Sequence, residues 1–153
     1  MPATAAPAAT GFALDEARHS LRFARDLAAT PEEAFSAWTD PAQVASWWDA
    51  SGERLEACEI DPRPGGAFRF VTRQHPDRPF LGTYREVSPP NRLVFDANGA
   101  IGTVSLEARD GGTRMTVEIA CPSDEHLRQF VAMGVADGTS RTLDNLAGHL
   151  RGG

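Results

Sequence analysis

Residues 123–150 read SDEHLRQFVAMGVADGTSRTLDNLAGHL, and their apolar positions decide the fold. Leu127, Phe130, Val131, Val135, Leu143, Leu146 and Leu150 return every three or four residues, the period of one buried helical face. Pro122-Ser123 marks the start, because the Ser123 hydroxyl can cap and Asp124 and Glu125 suit the positive end of the helix dipole. Gly152 and Gly153 mark the stop, with Arg151 at the negative end. At ~1.5 Å per residue, one continuous helix would span roughly 40 Å. An element of that length asks for a sheet to cover.

The preceding residues supply that sheet. Ser20–Ala28 alternates Leu21, Phe23 and Leu27 against Arg22 and Asp26, a first strand with one buried face. Thr30-Pro31-Glu32-Glu33 is a capping box with proline at the first helical position, and Asp40-Pro41 starts a second short helix ten residues later. The first of these helices carries Phe35 and Trp38; the second ends near Trp47-Trp48. Strands of period two follow at 54–60, 67–73, 80–87, 92–97, 103–109 and 113–120. Pro62-Arg63-Pro64-Gly65-Gly66, Ser88-Pro89-Pro90-Asn91, Asn98-Gly99 and Asp110-Gly111-Gly112 are turns between them. The expectation is an α+β fold: a seven-stranded curved antiparallel sheet gripping one long C-terminal helix, with two short helices after the first strand.

The totals narrow the partners. At 153 residues, 41% hydrophobic and 24% charged, the chain is sized for one soluble domain. A net charge of −6 and a pI near 5.1 point away from nucleic acid and anionic membranes. All 15 basic residues are arginine, which excludes a lysine nucleophile. Cys58 and Cys121 form no C-x-x-C, so reduced cytoplasmic thiols are the default, with their pairing left open. Residues 1–11, MPATAAPAATG, lack the basic start and apolar run of a signal peptide and read as a flexible tail before a single domain at 12–153. No stretch approaches the ~18 consecutive apolar residues of a membrane span.

The chain resembles the helix-grip superfamily that includes the birch-pollen allergen, START lipid-transfer domains and polyketide cyclases. Within it, the chain is similar to the family named after the activator of the 90-kDa heat-shock protein ATPase. Ala29-Thr30-Pro31-Glu32-Glu33 with Phe35, Ala37 and Trp38 carries the likeness, followed by Thr39-Asp40-Pro41, Trp47-Trp48 and Arg63-Pro64-Gly65-Gly66. Gly82-Thr83-Tyr84-Arg85-Glu86-Val87, Pro89-Pro90-Asn91-Arg92-Leu93-Val94-Phe95, Gly112-Thr113 and Gly138 with Leu143-Asp144-Asn145-Leu146 complete it, across residues 20–150. The resemblance implies an apolar cavity between sheet and long helix. Thr139 departs from the pattern, standing where an aromatic is frequent, which could enlarge the cavity or open its mouth.

Candidate cavity residues follow from the residues themselves. Neighbours on a helix sit ~100° apart, so of Trp47 and Trp48 one packs inward and the other rims an opening, or both are core. Phe68 and Phe70 share a strand face, and with Tyr84 and Phe95 they form either a cavity wall with one polar tip or a simple core. Gly134 and Gly138 lie four apart on the helix face of Phe130; each costs ~1 kcal/mol against alanine, which suggests close packing or space for a ligand. Glu86 shares a strand face with Gly82 and Tyr84 and, if inward, would be a buried carboxylate fit for acid–base work. Glu118, alternating with Val117 and Ile119, faces water. The four histidines have no metal-ligand spacing, His75 with Asp77 reads as a solvated loop, and no G-x-S-x-G is present. No cofactor, metal or catalytic residue is expected.

Three functions fit these residues. The first is a binding module for a small apolar or amphipathic molecule. The second is a cyclase- or hydrolase-like enzyme using Tyr84 and Glu86 in the same cavity. The third is a protein that stimulates a chaperone ATPase, for which the eukaryotic activator carries a separate N-terminal domain. Pro-rich turns and sheet edges also offer surfaces for a homodimer without requiring one.

Overall fold

A computed structural model describes residues 12–151. The proposed tail at 1–11 and the closing Gly152-Gly153 lie outside the described residues. Among the described residues, eight strands form one antiparallel sheet: β1 (Phe12–Asp15), β2 (Ser20–Leu27), β3 (Ala57–Ile60), β4 (Ala67–Val71), β5 (Phe80–Ser88), β6 (Arg92–Ala97), β7 (Ala100–Arg109) and β8 (Gly112–Ala120). Their order is β1-β2-β8-β7-β6-β5-β4-β3, so β3 to β8 run as a meander and β2 docks against its last strand. Four helices complete the α+β fold: α1 (Pro31–Thr39), α2 (Pro41–Trp47), α3 (Asp124–Ala132) and α4 (Val135–Leu150).

The local chemistry explains the short elements. Glu33 N–H donates to Thr30 Oγ1 at 3.1 Å while Thr30 N–H donates to Glu33 Oε1 at 2.9 Å, closing the capping box of α1. Asp40 ends α1 and caps α2, accepting from Ala42 N–H at 3.1 Å. Asn98-Gly99 and Asp110-Gly111 turn their hairpins with positive φ at both residues, 53° and 79° in the first and 49° and 82° in the second.

Two expectations need correction. The sheet has eight strands, not seven, because Phe12–Asp15 pairs with Ser20–Phe23 through a turn at His19. Four residues are too few to show alternation against an Ala-rich background. The long C-terminal helix is also not continuous. Gly134 takes the left-handed conformation (φ 83°), and its N–H donates to the Val131 carbonyl at 3.1 Å, ending α3. The Gly134 carbonyl then accepts from Gly138 N–H at 2.9 Å, starting α4. Gly134 is a hinge between helices rather than a mid-helix residue. With 16 residues, α4 spans ~24 Å instead of roughly 40 Å.

The core sits between the sheet's inner face and α1, α2 and α4. Leu21, Phe23, Val104, Leu106 and Met115 from the sheet meet Leu143 and Leu146 from α4, each at most 1% exposed. Burying one such side chain contributes ~1.5–3 kcal/mol. Arg25 also points inward and is 2% exposed. Its Nε donates to Asp144 Oδ1 at 2.9 Å and its Nη2 to the Ser140 carbonyl and Oγ at 3.1 and 2.8 Å, tying β2 to α4. By contrast, α3 fully buries Leu127 alone, and Val131 and Met133 stay 46% and 74% exposed.

Candidate functional site

Packing on the inner face divides into a filled end and an open end. At the filled end, Trp47 is 1% exposed and donates Nε1–H to the Ala37 carbonyl at 3.0 Å. Phe68, Phe70 and Tyr84 are each at most 5% exposed, and Phe68 lies 5.0 Å from Phe70 and 5.2 Å from Tyr84, centroid to centroid. The gap among these rings is about 10 Å³, room for one water molecule at most. Four of the predicted cavity residues, Trp47, Phe68, Phe70 and Tyr84, therefore build a core.

The open end is a recess of about 490 Å³ between the sheet and the α3–α4 bend. Trp48, Phe95, Phe130 and Gly138 line it, joined by Trp38, Phe80, Val117, Ile119, Val135 and Leu143. Trp48 forms the partition, with Phe70 at 4.8 Å and Phe80 at 5.0 Å. Several lining residues are small: the sheet gives Ala97, Ala100 and Gly102, and α4 gives Gly138 and Thr139. A Cβ on Gly102 would meet Phe95 Cζ at 2.5 Å, whereas one on Gly138 would meet nothing within 4 Å.

The segment carrying Trp48 is strapped to α4. Thr142 Oγ1 donates to the Trp48 carbonyl at 3.0 Å, and Asn145 Nδ2 donates to the Asp49 carbonyl at 3.0 Å. Asp49 lines the recess at 8% exposure; its Oδ1 accepts from Ser51 N–H and Oγ, both at 2.9 Å. Its Oδ2 is buried with no donor, and the indole N–H of Trp38 is buried with no acceptor. The sequence offers Trp38 only as a helix residue of the family likeness and does not mark Asp49 at all. An aspartate that opens a polar loop looks like any turn residue until the fold brings α4 against it.

Glu86 requires correction. The β5–β6 register slips between Tyr84 and Glu86, leaving Arg85 as an extra residue, so the alternation reverses and Glu86 faces outward. Its side chain is 42% exposed and accepts from Ser88 Oγ at 2.9 Å and Arg92 Nε at 3.1 Å. The Ser88 hydrogen bond, then that of Arg92, holds its carboxyl below the ordinary range, the reverse of a raised general acid. Tyr84 and Glu86 do not converge, and the pair proposed for catalysis is absent. Burial, then Cys58 and Asp61, pushes the Tyr84 phenol up; burial, then Asp40, raises the Cys58 thiol to about 11 against an opposing pull from Arg54. Gly134 stands at the hinge, outside the lining. Glu118, on the outer face, lies beneath Arg18 and Arg22, its side chain 19% exposed rather than open to water. His75 is exposed in its loop, 2.9 Å from Arg78.

A second depression of about 570 Å³ lies on the outer face of β4–β6, over Arg69, Thr83 and Asp96. Its floor is exposed and its charges are paired, Arg69 with Glu59 at 3.7 Å and Arg85 with Asp96 at 2.6 Å.

Solved structures share this architecture. A protein from Rhodobacter sphaeroides is 25% identical, with 97% of each chain covered and a TM-score of 0.76. One from Nitrosomonas europaea is 23% identical over 86% of this chain and 94% of that one, at 0.78. One from Arthrobacter aurescens, solved in solution, is 20% identical over 94% and 92%, also at 0.78. No curated protein matches the chain. No helix among the described residues is long and apolar enough to cross a membrane. The family model for activator of Hsp90 ATPase homolog 1-like proteins matches residues 28–151, and the chain belongs to that family.

Proposed function

We propose that this protein binds a small apolar or amphipathic molecule in the recess between its curved sheet and the α3–α4 bend. The observation that carries the reading is the division of the inner face. One half closes to a gap of about 10 Å³, while the other keeps about 490 Å³ behind a mainly apolar wall. Small-molecule sites range from ~300 to 1,000 Å³ and are lined by apolar groups with a few polar ones. An apolar space of this size beside a close-packed core invites occupation, because empty apolar volume destabilises a fold. The free thiols Cys58 and Cys121 fit a reducing, cytoplasmic setting.

The test is native mass spectrometry of protein purified without added ligand, followed by organic extraction and by titration with the neutral apolar dye Nile red. A bound species or saturable dye binding is expected. Gly138→Trp, which enters open space from α4, should weaken dye binding more than about tenfold while the protein stays folded. A clean mass together with no saturable dye binding overturns the reading.

A further inference from the structure

The recess has one charged residue on its wall, and that charge is kept out of reach. Asp49 is 8% exposed, and its Oδ1 accepts from Ser51 N–H and Oγ, both at 2.9 Å. Its Oδ2 is closed even to water, so no group in the recess can donate to it. Among the described residues, no arginine, lysine or histidine lines the recess. The other polar residues of the wall, Thr72, Asn98, Thr139 and Thr142, are uncharged. Thr142 Oγ1 donates to the Trp48 carbonyl at 3.0 Å, and Thr72 Oγ1 accepts from His75 N–H at 3.3 Å. Asn98 and Thr139 make no side-chain hydrogen bond among the described residues, and neither is sealed from water.

These surroundings decide what kind of head group the recess accepts. A carboxylate or phosphate would give up its water and meet no cation on the wall. Asp49 behind that wall and a net charge of −6 would oppose it as well. An ammonium group would give up its water and find no carboxylate oxygen it can touch. The rings of Trp48, Phe80, Phe95 and Phe130 attract a cation, but they return less than an isolated charge loses on leaving water. An uncharged polar group loses only ordinary hydrogen bonds, and the Asn98 amide and the Thr139 hydroxyl are the wall's open donors and acceptors.

We propose that the ligand is an uncharged amphiphile, with its apolar body against the aromatic rings and an alcohol, ester or amide head satisfied by Asn98 or Thr139. The proposal rests on the cavity reading above and adds the chemical class of the ligand. Binding forms no covalent bond and moves no proton. The apolar body supplies affinity, and the lack of a reachable counter-charge supplies selection against both kinds of ion.

The experiment uses n-octanol, octanoate and n-octylamine, which share one apolar body and differ in head charge at about pH 7. Each competes for Nile red bound to wild type and to Thr139→Arg. Wild type should bind octanol about tenfold or more tightly than either ion. Thr139→Arg puts a cation on the wall, and octanoate should gain about tenfold or more relative to octanol. Either ion binding wild type as tightly as octanol overturns the proposal. So does an octanoate-to-octanol ratio that Thr139→Arg leaves unchanged, because the heads then lie away from α4. Each of those results, obtained with saturable Nile red binding, removes the ligand class and leaves the cavity reading standing. If Nile red does not bind and none of the three competes, both fall. The wild-type order decides the matter even where the variant does not fold.

Discussion

Gly134 and Gly138 lie four residues apart, yet the structure assigns them opposite responses to the same substitution. Gly134 has φ 83°, where an L side chain crowds its own backbone, and costs ~1–2 kcal/mol per residue. Gly138 is inside α4 with no positive φ, and a Cβ there meets nothing within 4 Å. Alanine at 138 therefore loses no contact and restricts the unfolded chain, for a gain of ~1 kcal/mol. For a chain of this length, each kcal/mol moves Tm by ~2–4 °C. Gly138→Ala should raise Tm by about 2–4 °C, and Gly134→Ala should lower it by about 2–8 °C. Urea unfolding followed by tryptophan fluorescence gives the same comparison as a midpoint shift at constant slope. If both substitutions stabilise, the helix runs continuously through Gly134 and the hinge is refuted. If Gly138→Ala destabilises, the space beside α4 is not open.

Two further perturbations test the core. Tyr84 is the one tyrosine in the chain, and burial, followed by Cys58 and Asp61, raises its phenol above the ordinary 10.0. A group raised in the folded state contributes stability that is complete below its unfolded value and is lost as pH climbs past it, so stability should fall above about pH 10 and Tyr84→Phe should blunt that fall. Phenolate absorbance appearing near pH 10 while the protein remains folded would contradict this burial. Asp144→Ala removes the 2.9 Å bond to Arg25, whose side chain is 3% exposed, and should cost ~1–3 kcal/mol in urea, nearer the lower figure because Asp144 is 61% exposed. Asp137→Ala breaks an α4 pair exposed on both sides and should cost no more than ~0.5 kcal/mol; equal losses would show that Arg25 is not the anchor of α4.

Much of this fold is written in local chemistry. The capping box at Thr30, the Asp40-Pro41 start and the Asn98-Gly99 and Asp110-Gly111 hairpins each follow from residues within four positions of one another. The errors share a cause, which is that local pattern does not fix parity or direction over distance. An apolar period runs unbroken through Gly134 because Phe130, Val131 and Val135 fit it, while the backbone turns beneath the pattern. Alternation places Glu86 with Tyr84, but one extra residue reverses it. A bulge leaves no signature in a single sequence when both flanking residues suit a strand. The choice between wall and core stayed open for Trp47, Phe68, Phe70 and Tyr84 because a ring that walls a recess and a ring that fills a core have the same chemistry.

The location of the recess is nonetheless encoded in a gradient of side-chain size. The inward residues of β7 run Ala100, Gly102, Val104, Leu106. Opposite them on β8, Ile119 pairs with Gly102, Val117 with Val104 and Met115 with Leu106. At the Leu106–Met115 end, each residue is at most 1% exposed and meets large partners, so nothing remains empty. At the Ala100–Gly102 end, the strand withdraws its side chains and α4 answers with Gly138 and Thr139. Close packing requires volume from both facing surfaces; the Phe95 ring takes the space over Gly102, but nothing stands within 4 Å of a Cβ on Gly138. α3 cannot make up the difference, because the turn at Gly134 swings it to the rim, where Phe130 alone reaches back beside a largely exposed Met133. Emptiness at this end is thus a property of two segments some forty residues apart, read together only after the fold has placed them face to face.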